Sequence, residues 1–243
     1  MQKWKTAIST HKEDNLSIRG KSLLSLINEH SFVEVIFLLL RATLPTKKEE
    51  RMLNILLTAM IEHGVQAPSA FVARTVSSTG NPFNAALAAG ILAIGEYHGG
   101  AIEQCAKHLQ STETVDALVE NVVKKGERMP GFGHKQYKDK DPRAEIIFHN
   151  AKELGFFGMY ASRALEMEKA LEKKTGKKLP INIDGAAAAI MLELGFDWRL
   201  GKAMFILGRL PGLIAHVQEE ITREKPYRRL EDSDVEYDGP EVV

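Results

Sequence analysis

Three stretches of the 243-residue chain set a titratable side chain in an unusual local backbone: "EYHGGAIE" around His98, "MPGFGHKQY" around His134 and "INIDGAAAA" around Asp184. Two imidazoles and a carboxylate are side chains suited to moving protons. Gly99 and Gly100 leave room beside His98 for a ligand or a close helix crossing. Pro130, Gly131 and Gly133 expose backbone groups around His134, and a nearby Asp-Pro-Arg adds the guanidinium of Arg143. Each residue also has a plainer reading. Asp184 alone suits a helix N-cap, and His98 alone suits a hydrogen-bonded core position. The glycines near His134 can simply make a turn, and Arg143 can offset a helix end or pair with Asp141. Only the combination points to a site.

The elements that must position these residues read as helices. Ser31 and Glu34 have capping-box spacing before "VIFLLLRA", and Thr46 and Glu49 repeat it before "ERMLNILLTAMIEHG". Asn81-Pro82 can cap and open "FNAALAAGILAIGEY", because proline fits the first helical turn. Further helices are expected from Thr112 to about Lys125-Gly126, and over 143–154, 159–174, 185–194 and 198–224. Sustained period-two alternation is missing, so the expected class is all-α with a small hairpin near Ser17–Ser22. The alanine-rich stretches "AALAAG" and "GAAAAI" allow helices to approach closely, which marks central packing faces. The tail from about Pro226 is charged and less periodic. It is expected either to extend over a neighbouring subunit or to be mobile.

The totals narrow the function classes. Lysines and arginines number 32 and so do the acids, so the formal net charge of zero gives no general attraction for nucleic acid. Cys105 is the sole cysteine, which excludes an internal disulfide and fits a reducing compartment. The polar start "MQKWKTAISTHKEDN" has no signal-peptide core, and the apolar run "FVEVIFLLL" is too short to span a bilayer. A soluble cytoplasmic protein with no membrane or nucleic-acid partner is expected. His63, His98 and His134 can meet in space, but without His-Glu-x-x-His or clustered cysteines no metal is expected. Spacing leaves a Ser-His-Asp triad open, although the Gly-x-Ser-x-Gly elbow is missing, as are the Walker loop and the dinucleotide fingerprint. His11, His30, His108, His149 and His216 read as ordinary helix or surface residues.

The stretch "GFGHKQYKDKDPRA" resembles the citrate synthase signature, and "HGGAIE" and "INIDG" resemble that family's other two catalytic segments, in the same order. Upstream, "LSIRGKSLLSLINEHSFVEVIFLLLRATLPT" and "HGVQAPSAFVARTVSSTGNPFNAALAAGILAIGEYHGGA" extend the likeness over nearly the whole chain. Gln136 departs from the small aliphatic residue usual in the signature. The interval between Thr46 and His63 is short, where full-length citrate synthases carry a long helical section. The chain thus resembles the compact form, similar to free-standing citryl-CoA lyase and to the C-terminal lyase part of ATP-citrate lyase. The resemblance implies an all-α, citrate synthase-like fold with a larger and a smaller domain. It also implies one unit over 1–243, with the small-domain subregion at about 100–205, and a homodimer or higher homo-oligomer.

It further implies a reaction through the enol or enolate of a thioester. Asp184 would handle the α-carbon proton. His98, as a neutral N–H donor, would hydrogen-bond the thioester oxygen, and His134 would serve the oxygen of the other carbonyl. In the cleavage direction His134 would take the hydroxyl proton of citryl-CoA. Arg143 and Arg209 match family carboxylate-binding positions, His63 matches the substrate-binding histidine, and Arg228 or Arg229 would supply a C-terminal arginine. For coenzyme A, the backbone at Met129, Gly131, Phe132 and Gly133 together with Asn182 matches family contacts. Lys177 and Lys178 are offered for its phosphates or, equally, form a solvated basic loop.

The expected activity is citryl-CoA lyase, giving acetyl-CoA and oxaloacetate, with coenzyme A only as part of substrate and product and no tightly bound cofactor. The compact length and the lack of a segment for ATP-dependent citrate activation imply a separate citryl-CoA synthetase upstream. The alternatives are a short citrate synthase or 2-methylcitrate synthase and, from another class, a non-catalytic coenzyme A-binding partner subunit.

Overall fold

The computed structural model describes residues 3–12, 15–134 and 136–240. Among them are eleven α-helices and one small sheet, so the chain is all-α as expected. The sheet has the order β1 (Ser9–Lys12), β2 (Asn15–Ile18), β3 (Lys21–Ser22), antiparallel throughout. The β2–β3 hairpin is the expected one. Its two-residue turn, Arg19-Gly20, has φ of 49° and 80°, the doubly left-handed turn that matches strand twist. β1, "STHK", was not expected. It is a short polar strand whose partner is fixed by pairing and not by an apolar pattern.

The helices follow as α1 (Leu23–Glu29), α2 (Phe32–Arg41), α3 (Lys47–Ala59), α4 (Pro68–Ser78), α5 (Phe83–Leu92), α6 (Ala101–Leu109) and α7 (Val115–Lys124). After these come α8 (Pro142–Leu154), α9 (Met159–Thr175), α10 (Ile183–Glu193) and α11 (Gly201–Arg223). Both expected capping boxes form: Ser31 with Glu34 opens α2, and Thr46 with Glu49 opens α3. Three starts differ from the sequence reading. Pro82 is itself the N-cap of α5, while Asn81 turns back to donate to the Val76 carbonyl and Thr79 Oγ1. Thr114, and not Thr112, caps α7 by accepting from Ala117 N. A 3-10 turn, Trp198–Leu200, precedes α11 because the Asp197 side chain captures Arg199 N.

Contacts divide the chain into two units: Met1–Met60 with Gly99–Gly208, and Ile61–His98 with Arg209–Val243. The stretch 100–205 falls within the first. That unit is organised on α10, which packs against α6, α8 and α9. Ala186 to Ile190 are each 2% exposed or less, so α10 is buried all round and carries small residues where neighbours come close. The second unit pairs α4 with α5 and packs both on the later turns of α11, through Ala73, Ala86 and Val217 and through Ala67, Ala70 and Leu213. At Gly90 a methyl group would lie 2.9 Å from the Ser69 carbonyl and 3.0 Å from Ala73 Cβ, which explains a glycine inside α5. The segment Trp198–Arg223 is long and apolar enough to cross a membrane by length and composition. Leu213 and Val217 are nevertheless fully buried among α4 and α5, as in a core helix.

The C-terminal tail is anchored at its start. Tyr227 N donates to the Ser78 carbonyl (2.8 Å) and Arg228 N to Ser78 Oγ (3.1 Å), so the chain is tied to the end of its own α4.

Candidate active site

In the first unit the segment 129–134 is laced to 180–182. Phe132 and Ile181 form an isolated bridge, Gly133 N donates to the Pro180 carbonyl (2.7 Å), and Asn182 N donates to the Gly131 carbonyl (3.0 Å). The two glycines of "GFG" do different jobs. Gly131 has φ of 85°, and a methyl group there would lie 2.7 Å from Gly185 Cα and 2.8 Å from Cys105 Sγ. Its missing side chain is used up by the crossing of this loop over α10. Gly133 has φ of 78°, and its nearest obstacle would be Leu179 Cδ2 at 3.4 Å, so this backbone is the more approachable of the two.

Asn182, and not Asp184, caps α10. Its Oδ1 accepts from Asp184 N (2.9 Å) and Gly185 N (3.2 Å), and its Nδ2 donates to the Gly133 carbonyl (2.9 Å). The plain reading of Asp184 as a cap is thereby corrected, since the amide two residues earlier takes that work. Asp184 lies in the first helical turn, where the helix dipole favours a carboxylate. Its charge acts on two neighbours. Burial first, and Asp184 second, push the Cys105 thiol far up. Asp184 is also one of the negative charges that hold the Arg143 guanidinium protonated.

His134 is held by backbone. Its Nδ1 accepts from Gln136 N (3.1 Å) and Tyr137 N (3.3 Å), and the ring stacks on Tyr137 with centroids 4.7 Å apart. An Nδ1 that accepts two amides cannot carry a proton, so the neutral ring has its proton on Nε2. Arg143 Nη2 is 3.3 Å from that Nε2, a close approach of two donors in this tautomer and not a hydrogen bond. The guanidinium is oriented by Asp141: Nε donates to Oδ1 (3.0 Å) and Nη2 to Oδ2 (2.8 Å). Asp141 is 1% exposed, and it also accepts from Arg143 N (3.0 Å) and Ile183 N (3.1 Å). Burial works against its charge, but the Arg143 side chain and backbone and the Ile183 amide outweigh it and hold the carboxyl below its ordinary range.

In the second unit His98 Nε2 lies 2.8 Å from Ser69 Oγ, and Ser69 is fully buried near the start of α4. Burial, and then the charges of Arg209 and His63, push the His98 imidazole below its ordinary value. The ring is therefore neutral at pH 7. Arg209 is buried on α11, and His63 sits in an exposed loop. That loop is pinned by Glu62 Oε1, which accepts from His63 N (2.8 Å) and Gly64 N (2.5 Å) and faces His216 Nε2 at 3.1 Å. Glu62 is held below its ordinary value: burial opposes the charge, while His216 and the two amides overcome it.

The remaining expected site residues fall elsewhere or face inward. Arg228 forks onto Glu220 through Nε (3.0 Å) and Nη2 (2.9 Å), beside Arg74, whose Nε is 2.6 Å from the same carboxylate. Lys178 pairs with Asp139 at 3.1 Å on the surface, and Lys177 is exposed. The Met129 side chain is buried, and Phe132 is half-buried. The first unit therefore gathers His134, Arg143 and Asp184, and the second gathers His98, Arg209 and His63.

Sequence reasoning gave no functional part to Asp141, Tyr137, Ser69 or the Glu62–His216 pair. Asp141 carried a readable signal, an Asp before Pro at a helix start. Ser69 and His216 carried none, because their partners are remote in the chain.

The family model for the citrate synthase C-terminal domain matches residues 45–230. A solved citryl-CoA lyase from Hydrogenobacter thermophilus is 44% identical with a TM-score of 0.94, covering 100% of this chain and 97% of that one. An ATP citrate lyase from Methanothrix soehngenii, solved with citrate and coenzyme A, is 25% identical with a TM-score of 0.85. That match covers 99% of this chain and 42% of the other. A citrate synthase from Synechocystis is 36% identical over 188 residues, which is 73% of this chain and 47% of that protein. The chain spans about half the length of such curated relatives.

Proposed function

The chain belongs to the citrate synthase family, and from that premise we propose that it is a carbon–carbon lyase, cleaving citryl-CoA to acetyl-CoA and oxaloacetate. The likeness to the Hydrogenobacter thermophilus citryl-CoA lyase carries the reading, because it runs the length of both chains at 44% identity. The citrate synthase from Synechocystis is matched over only 47% of its length.

In this reading His98, His134 and Asp184 are the three residues that act on citryl-CoA. The burial that keeps His98 neutral suits a donor to the thioester oxygen, which must receive charge without first losing a proton. When the carbon–carbon bond breaks, Asp184 gives a proton to the α-carbon of the enol(ate), turning the methylene of citryl-CoA into the methyl of acetyl-CoA, and it removes that proton in the condensation sense. His134, with its proton on Nε2, gives a hydrogen bond to the oxaloacetate carbonyl in the condensation sense. In the cleavage sense, taking the hydroxyl proton on Nε2 requires the other neutral tautomer, with the ring proton on Nδ1 and the two amide bonds to it given up. Arg143, Arg209 and Arg228 hold carboxylates, with His63 alongside. The backbone at Gly133 and its neighbours, Asn182 and Lys177 with Lys178 receive the coenzyme. The region at about 100–205 acts as the smaller domain, and the protein works as a cytoplasmic homodimer or larger homo-oligomer. A separate synthetase supplies citryl-CoA, as a reductive tricarboxylic acid cycle would require.

The test is product analysis with purified protein and citryl-CoA. Equal release of oxaloacetate and acetyl-CoA without citrate is expected. Free citrate and coenzyme A as the main products would establish instead a citrate synthase, the reading favoured by the 36% identity to the Synechocystis enzyme. Binding of coenzyme A with no turnover would make the chain a non-catalytic partner subunit.

A further inference from the structure

The Asp141 carboxylate is fully subscribed. Each oxygen accepts from two donors: Oδ1 takes Arg143 N and Nε, both at 3.0 Å, and Oδ2 takes Arg143 Nη2 at 2.8 Å and Ile183 N at 3.1 Å. A purely structural N-cap needs only the first of these. The other three reach beyond the start of α8. Two fix the plane of a guanidinium whose Nη2 is 3.3 Å from His134 Nε2, and one fixes the first amide of α10, immediately before Asp184.

We propose that Asp141 is a positioning residue: one buried carboxylate sets the orientation of Arg143 and the placement of the α10 start against it. The inference rests on the lyase reading for its kinetic consequences, though not for its structural one. A side-chain amide at 141 cannot reproduce the pattern, because its NH2 end would face either Arg143 N and Nε or Arg143 Nη2 and Ile183 N, donor against donor. The half-buried arginine would then turn to find another acceptor, and it would do so while the backbone stayed folded. Anchoring of the dicarboxylate product would suffer, whereas the coenzyme contacts along 129–133 would not.

The experiment compares Asp141→Asn and Asp141→Glu with wild type, using Glu193→Gln as a control. Glu193 accepts from Tyr160 N and Ala161 N at the start of α9, so its loss weakens the same unit without touching Arg143. Two readouts are taken. In nitrogen-15 spectra of ligand-free protein, the Arg143 Nε–H is expected to exchange slowly in wild type and in Glu193→Gln and fast in Asp141→Asn. In citryl-CoA cleavage, the inhibition constant for oxaloacetate is expected to rise about 10- to 100-fold in Asp141→Asn, and that for acetyl-CoA to change less than about twofold. Asp141→Glu keeps the charge but displaces it, and should show the same split to a smaller degree. It also serves if Asp141→Asn does not fold. Equal changes in both inhibition constants, a split of the same size in Glu193→Gln, or an unaltered Arg143 Nε–H signal would each overturn the proposal. If wild type does not cleave citryl-CoA, the lyase reading fails by itself, and the spectra alone decide whether Asp141 orients Arg143.

Discussion

The two units prepare their histidines by opposite means. His134 is fixed by covalent neighbours: two backbone amides within three residues set its tautomer, and Tyr137 from the same turn supports its ring. His98, in the loop between α5 and α6, has a partner from α4, Ser69, and owes its neutrality to burial and to the charges of Arg209 and His63. One imidazole is defined by local geometry and the other by its surroundings. The first arrangement should survive loss of distant side chains but not distortion of its loop. The second should tolerate backbone change and respond to polar groups contributed from elsewhere.

Removing the Asp184 carboxylate gives the largest effect. Asp184→Ala should lower turnover of citryl-CoA about 10²- to 10⁴-fold, the range for a lost acid–base group. The fold should stay intact, because Asn182 does the capping of α10. Circular dichroism and a melting curve alongside the rate measurement check both halves of that expectation. A variant that melted early and lost activity together would show Asp184 to be structural.

Next in size is a contrast between the two glycines of the His134 loop. Gly131→Ala must place a methyl group against Gly185 and Cys105 at a left-handed φ, and about 2–4 kcal/mol of stability should be lost. Gly133→Ala meets only Leu179 at 3.4 Å, so about 1 kcal/mol is expected from φ alone. Its main effect should be a weaker affinity for coenzyme A. Urea unfolding of both variants, with a coenzyme A titration of the second, would separate the glycine that serves the fold from the one that serves the ligand.

How much of this was legible in the chain depended on range. Both capping boxes, the Arg19-Gly20 hairpin and the burial of the alanine-rich faces could be read because their causes lie within a few residues. The starts of α5 and α7 shifted because competing caps stood side by side, and a sequence does not say which of Asn81 and Pro82, or Thr112 and Thr114, wins. The three motifs marked His98, His134 and Asp184 as a set. They did not reveal that Asn182 frees Asp184 from capping, nor that Gly131 is consumed by a helix crossing. Ser69 and the Glu62–His216 pair were invisible for the same reason: each depends on which side chains tertiary packing brings together.

The smallest expected effects concern His98 and test its side of the contrast directly. Its folded pKa lies below the ordinary histidine value of 6.5 because burial penalises the cation and Arg209 and His63 repel it. As pH falls through that ordinary value, the unfolded chain takes up a proton at this residue before the folded one does. Stability contributed here is therefore full above the unfolded pKa and declines as pH falls toward the folded one. Turnover should stay level through the same interval and drop only below it, since His98 is still a neutral donor. Ser69→Ala removes the hydroxyl at 2.8 Å but leaves burial, Arg209 and His63 in place. It should lower the rate about tenfold while leaving the acidic limb of the pH–rate profile below 6.5. If that limb moved up to the ordinary histidine range, the hydroxyl and not the surroundings would be what keeps His98 neutral, and the distinction between the two histidines would fail.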